Sequence, residues 1–186
     1  GEAVLPAHLS LIDDPFRPRG LGSTPFDDEG VEVVERALVD HGVIPTWLMN
    51  TAAAAQLGLT STGHASRGLA GPSGVSTHNL HLTPGETDLA GLMGQAGAGL
   101  LVTSMFGPSL NPNTGDWSAG VSGFFFEGGQ ITHPVKDLRF TQPYVEALAN
   151  VEHIGSETKL VLNEVGFATR VPALKLSSFN FTGVTV

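Results

Sequence analysis

No cysteine occurs among the 186 residues, which rules out disulfide frameworks and thiolate metal sites in this chain and fits a reducing compartment. Positive charge is scarce as well: nine Lys and Arg stand against 18 Asp and Glu, and only three of the nine are Lys. A formal charge of -9 leaves no basic stripe to neutralise phosphates, so no nucleic-acid partner is expected. Long apolar runs are missing too. The longest uncharged stretch, 89–115, contains six Gly, two Pro and three Asn or Gln, so it lacks the ~20 predominantly apolar residues a membrane span needs. No basic and then apolar leader opens the chain, no membrane partner is expected, and the cytoplasm is the expected location. The first residue is Gly1 rather than Met, which suggests a processed product or a piece cut from something longer.

What the chain does contain is turn chemistry and apolar mass. Gly (24) and Pro (12) are spread without a repeat period, and 41% of residues are hydrophobic against 15% charged, which describes a turn-rich globular domain with a buried core. Residues 31–48 alternate around Asp40-His41-Gly42 and predict a hairpin of two strands. Asn50 or Thr51 as cap, four Ala and a closing Gly58 predict a short helix. Residues 59–75 read as a Gly- and Ser-rich loop, and 77–85 as a strand ended by Pro84-Gly85.

Leu89, Leu92, Met93, Ala96 and Leu100 have helical spacing, predicting a helix over 88–105 capped by Thr87. A second loop covers 106–117. Gly128-Gly129 predicts a tight hairpin turn between two β-prone segments. A helix is expected over 143–154 with Tyr144, Leu148 and Val151 on one face. In the tail, a bulge near Ser177-Ser178 would place Leu174, Leu176, Phe179 and Phe181 on one face. Six to eight strands and about three helices in no βαβ order define an α+β class, with a mainly antiparallel sheet or a partly closed β-barrel.

Self-sufficient chemistry is hard to find. Seven His are present, but none forms the i, i+4 pair with an intervening Glu that holds zinc on a helix. His78 and His81 come nearest to a metal pair, yet their odd spacing on a strand sends them to opposite faces. Each His is therefore read as structural or solvent-exposed. The Ser residues lack the Gly-x-Ser-x-Gly elbow, and neither phosphate-binding Gly pattern occurs. Asp27, Asp28 and Glu29 could hold a hard cation, but adjacent strand residues diverge. The preferred reading is a turn whose Asp side chains accept backbone N–H bonds before Gly30.

Several segments, taken in order, resemble the C-terminal half of the TldD/PmbA family, the modulators of DNA gyrase regarded as metallopeptidase subunits. They are "FDDEGV" at 26–31, the segment 39–67 ending in a variant of Thr-Gly-Asn-x-x-Arg, "THNLHLTPGE" at 77–86, 110–135 and "HIGSE" at 153–157. The resemblance covers nearly all of residues 1–186 as one C-terminal domain, with the N-terminal domain outside this chain. It is closer to the PmbA (TldE) branch than to TldD.

In TldD-type members a His-Glu-x-x-x-His helix and a Cys near the C-terminus hold zinc. The Cys is absent here, and the helix would lie upstream of Gly1. The resemblance therefore implies a non-catalytic, metal-free subunit that helps a TldD-like catalytic subunit, or a second copy, to process unfolded peptides, with zinc in the partner. No residue here is assigned a catalytic or metal-ligating role. The motif residues carried over as structural or cleft positions are Asp27, Asp28, Glu29, Gly30, Gly63, His64, Arg67, Asn79, Pro84, Gly85, Thr114 and Gly115. Two other readings remain: a metallopeptidase active alone through upstream ligands, and a protein-binding regulatory module with a gyrase- or toxin–antitoxin-related partner.

Overall fold

The computed structural model describes residues 3–162, 168–177, 179, 181 and 182. They form two compact units, one built mainly on Ala7–Thr83 and the other mainly on Pro84–Thr158. Among them are three helices and mainly antiparallel sheets, the α+β class expected, with no sheet closed into a barrel.

In the first unit, β1 (Leu11–Asp13) pairs antiparallel with β2 (Arg36–Val39) and, on its other side, with β5 (Leu80–Leu82). His41 and Gly42 make the expected turn with φ of 47° and 81°, and Asp40 and Val43 exchange both backbone bonds across it. Only one of the two predicted strands forms. Residues 44–48 are irregular, and β2 takes β1 as its partner instead. Pro45 has no N–H for a ladder, which explains part of this.

Helix α1 (Thr51–Leu57) has both sequence signals in place: Asn50 Oδ1 accepts from Ala53 N–H at 2.8 Å, and Gly58 closes it at φ 66°. The loop after it carries two short paired strands, β3 (Ala65–Ser66) and β4 (Gly74–Val75).

In the second unit, helix α2 (Leu89–Ala96) is capped by Asp88, whose side chain accepts from Gly91 N–H, rather than by Thr87. It stops nine residues before the predicted end. Gly97 turns out of the helix at φ 73°, and the following residues form β6 (Ala98–Leu110), absorbing Leu100 and part of the expected second loop. β6, β7 (Asp116–Glu127) and β8 (Gln130–Pro143) then make an antiparallel meander around Gly128 and Gly129.

One face of that meander is the core. Ala119, Val121, Val135, Leu138 and Phe140 are buried there, with Trp117, Phe179 and Phe181 packed on them. Phe140 stacks edge-on with Trp117 and with Phe179, at 4.7 Å in each case, a preferred aromatic geometry.

Helix α3 (Tyr144–Ala149) is also shorter than predicted. It buries Ala147, and β9 (Val151–Leu162) starts where the helix was expected to continue. With β10 (Ala168–Leu176), it completes a five-stranded order β2-β1-β5-β10-β9, in which β5 and β10 run parallel. Leu174 is exposed while Phe179 and Phe181 are packed; the bulge expected near Ser177-Ser178 lies partly outside the described residues, at Ser178.

Candidate functional site

Strand alternation makes Asp13 share a side of β1 with Leu11, and the short strand turns this carboxylate fully inward, at 0% exposure. A buried carboxylate needs partners. Two of them come from segments far away in sequence. His64 Nε2 lies 3.0 Å and His78 Nδ1 2.8 Å from Asp13 Oδ2, while His78 N–H donates to Oδ1 at 2.8 Å.

His64 is delivered by Gly63, whose φ of 72° and close passage over Glu32 O leave no room for a side chain: a Cβ there would sit 2.8 Å from that oxygen. The far nitrogen of His64, Nδ1, is 2.9 Å from Thr62 Oγ1, which also accepts from Met49 N–H and donates to Met49 O. Asp13, His64 and His78 thus bring one ligand-type atom each within 4.8 Å of the others. Burial works against the Asp13 charge, but the hydrogen bonds from both imidazoles and from His78 N–H outweigh it and hold the carboxyl below its ordinary value of 3.8.

The acidic turn lies alongside. Asp27 Oδ1 accepts from Glu29 and Val31 N–H, both at 2.9 Å, and Oδ2 reaches Ala65 N–H, next to His64, at 3.0 Å. Burial opposes the charge of Asp27 too, and these three backbone bonds outweigh it, so its carboxyl titrates below 3.8. Asp28 accepts from Arg67 N–H at 2.7 Å, Glu29 accepts from Thr51 N–H at the start of α1 at 2.8 Å, and Gly30 closes the turn at φ 78°. Asp27, Asp28, Glu29, Gly30, Gly63, His64 and Arg67 are therefore one neighbourhood. His64 is 1% exposed within it, whereas Arg67 is on the surface.

Asn79 works in the same unit. Its side-chain amide donates to Asp14 O at 2.7 Å and to Ser23 Oγ at 2.9 Å, and its oxygen accepts from Gly22 N–H at 3.1 Å. Gly22 in turn has no room for a Cβ, which would sit 2.3 Å from His78 O. Asn79→Ala is expected to lose about 2 kcal/mol, the order of three part-exposed hydrogen bonds, read from urea unfolding; an unchanged midpoint would show that the 14–23 loop does not depend on this clamp.

Pro84, Gly85, Thr114 and Gly115 belong to the second unit. Gly85 lies against the backbone of Ile154, while Thr114 donates to Asp116 Oδ2 and Gly115, at φ 76°, turns β6 into β7. Sequence reasoning missed Asp13 altogether and weighed His78 only with His81. His81 sits on β5 opposite Ile12; the partner of His78 is 65 residues away.

A cleft of about 420 Å³ opens elsewhere in the first unit, lined by Arg36, Trp47, Met49, Leu59 and Thr60 among others. Trp47 is 70% exposed.

The described residues thus make a mixed α+β domain that carries a hydrogen-bonded acidic turn and a buried Asp-His-His cluster. Its family is definite. Residues 1–183 match the PmbA/TldA metallopeptidase C-terminal domain, and the chain belongs to that TldD/PmbA family.

The chain is 38% identical over 152 residues to the metalloprotease PmbA homolog of Haemophilus influenzae, covering 81% of this chain and 32% of the relative. It is 30% identical over 177 residues to metalloprotease PmbA of Escherichia coli O157:H7, covering 95% and 37%. Its fold matches that of a protein described as a modulator of DNA gyrase from Thermotoga maritima, with a TM-score of 0.85, 30% identity, and 98% and 41% coverage. A TM-score of 0.88 to TldE from Thermococcus kodakarensis, at 24% identity and with 98% and 41% coverage, is a likeness of fold alone. The chain thus spans about a third of the length of these curated relatives. Among the described residues no helix is long and apolar enough to cross a membrane.

Proposed function

We propose that this chain is the C-terminal domain of a non-catalytic subunit in a TldD/PmbA-type metallopeptidase assembly that processes unfolded peptides in the cytoplasm, with the catalytic zinc held by a TldD-like partner. The observation that carries the reading is how the acidic motif is used. Asp27, Asp28 and Glu29 all spend carboxylate oxygens on backbone N–H groups, so the residues that mark the family resemblance act as scaffold. The chain also supplies no thiolate.

The cleft beside Trp47 suits an extended peptide, with the exposed indole as an apolar platform. For assembly, β6 lies at the end of its sheet order and exposes Met105, Phe106 and Leu110. A long edge of this kind calls for cover.

The test is cleavage of an unstructured peptide in zinc-containing buffer by the full-length protein, alone and mixed with its TldD-like counterpart. Cleavage is expected only in the mixture. Cleavage by the protein alone would establish a self-sufficient peptidase and overturn the reading.

A further inference from the structure

We propose that Asp13, His64 and His78 form a divalent-cation site of the zinc class, separate from any catalytic metal of the assembly. Two imidazole nitrogens and one carboxylate oxygen converge within 4.8 Å, a donor set suited to zinc and its borderline neighbours. The atoms that do not converge are engaged as the outer shell of a metal site requires: His64 Nδ1 on Thr62 Oγ1, and Asp13 Oδ1 on His78 N–H.

The ring orientation suits the same role. Thr62 Oγ1 anchors His64 Nδ1 at 2.9 Å, which leaves Nε2 facing Asp13 Oδ2 at 3.0 Å; once Nε2 has given up its proton, a metal ion can bridge the two.

Local charge adds to the case. Asp13 and Asp27 are both buried, at 0% and 4% exposure, with His64 beside them, and the described ion pairs give neither a Lys or Arg partner. A dication offsets the Asp13 carboxylate, which the imidazoles otherwise meet alone among the described side chains.

Tetrahedral zinc with bonds near 2.0–2.1 Å separates its ligand atoms by about 3.3 Å, so the pairs at 3.0 and 2.8 Å open by about 0.3–0.5 Å, while the two imidazole nitrogens, within 4.8 Å of each other, close by at most about 1.5 Å. Binding would exchange the imidazole-to-carboxylate hydrogen bonds for three metal bonds, releasing whatever protons those nitrogens carry. It would tie β1, the turn before β3 and the entry to β5 into one knot. This donor set has no thiolate and draws on none of the residues assigned to the family's zinc, so the inference holds whether or not the protein joins a peptidase.

The experiment is metal content of the full-length protein and its His78→Ala variant after equilibrium dialysis against Zn2+, with Co2+ as an optical probe. His78 is the most accessible of the three, at 9% exposure, and circular dichroism verifies that the variant is folded. Wild type is expected to retain one more equivalent of zinc than the variant, and to show Co2+ d–d absorption that the variant lacks and that Zn2+ quenches. Should the variant fail to fold, the wild-type Co2+ spectrum decides alone, through imidazole-to-metal hyperfine shifts on two histidines whose neighbours are Thr62 and Asn79. Equal metal content in both proteins, or no shifted His64 and His78 signals, would mean a hydrogen-bonded knot only and would overturn the proposal.

Discussion

Asp27→Ala is expected to lower the unfolding free energy by about 4 kcal/mol, because three backbone N–H groups lose one charged acceptor and at least the Ala65 donor is left buried. Asp28→Ala is the natural control. Its carboxylate is exposed and holds the Arg67 N–H alone, so the loss should stay below about 1 kcal/mol. Urea midpoints at pH 7 compare the two.

Acid probes the same carboxylate in a second way. The folded-state carboxyl of Asp27 titrates below its ordinary value of 3.8. Its contribution is therefore complete above the unfolded value and is lost as pH falls through that value to the folded one. The gap between wild type and Asp27→Ala should narrow as pH falls through this window. A gap that persists unchanged in acid would show that the stabilisation does not come from the ionised group.

Gly85→Ala is expected to cost about 3 kcal/mol. A Cβ at this position would stand 1.9 Å from Ile154 O and 2.9 Å from its carbonyl carbon, both backbone atoms that no rotamer change can move aside. Yielding would break the Gly85 N–H bond to Gly155 O at 3.2 Å and strain the Thr87–Gly155 bridge and the Ser156 N–H bond to Thr87 O at 2.8 Å. Amide exchange at Gly85 and Ser156 should accelerate together.

Gly94→Ala makes the opposite case. It sits within α2 with nothing within 4 Å of its Cβ, so it should gain up to about 1 kcal/mol from helix propensity. Equal thermal midpoints for Gly85→Ala and wild type would mean that the two segments part without loss.

These positions show which features the sequence made legible. Signals confined to a few residues came through: Asn50 and Gly58 at the ends of α1, Gly128-Gly129 between β7 and β8, and the acidic turn before Gly30. Each is decided by the preferences of one backbone turn. Helix α2 was overextended because Leu100 continues the helical spacing by coincidence, while Gly97 ends the helix and pairing with β7 draws residues 98–110 into β6. The Asp13 cluster was illegible for a different reason. Its members are 51 and 65 residues apart, and no local pattern records that β1 and β5 will lie side by side.

The connectivity of the two larger sheets also separates them in time. The β6-β7-β8 meander joins neighbours through tight turns, so each pairing closes only a short loop. The β5–β10 pairing sets Arg170 against His81, a closure of about 90 residues whose entropy must be met before its contacts reward it. Elongation from the ribosome imposes the same order, since β10 begins 25 residues after β8 ends. The nascent chain thus passes through a stage in which one edge of β5 has no strand beside it.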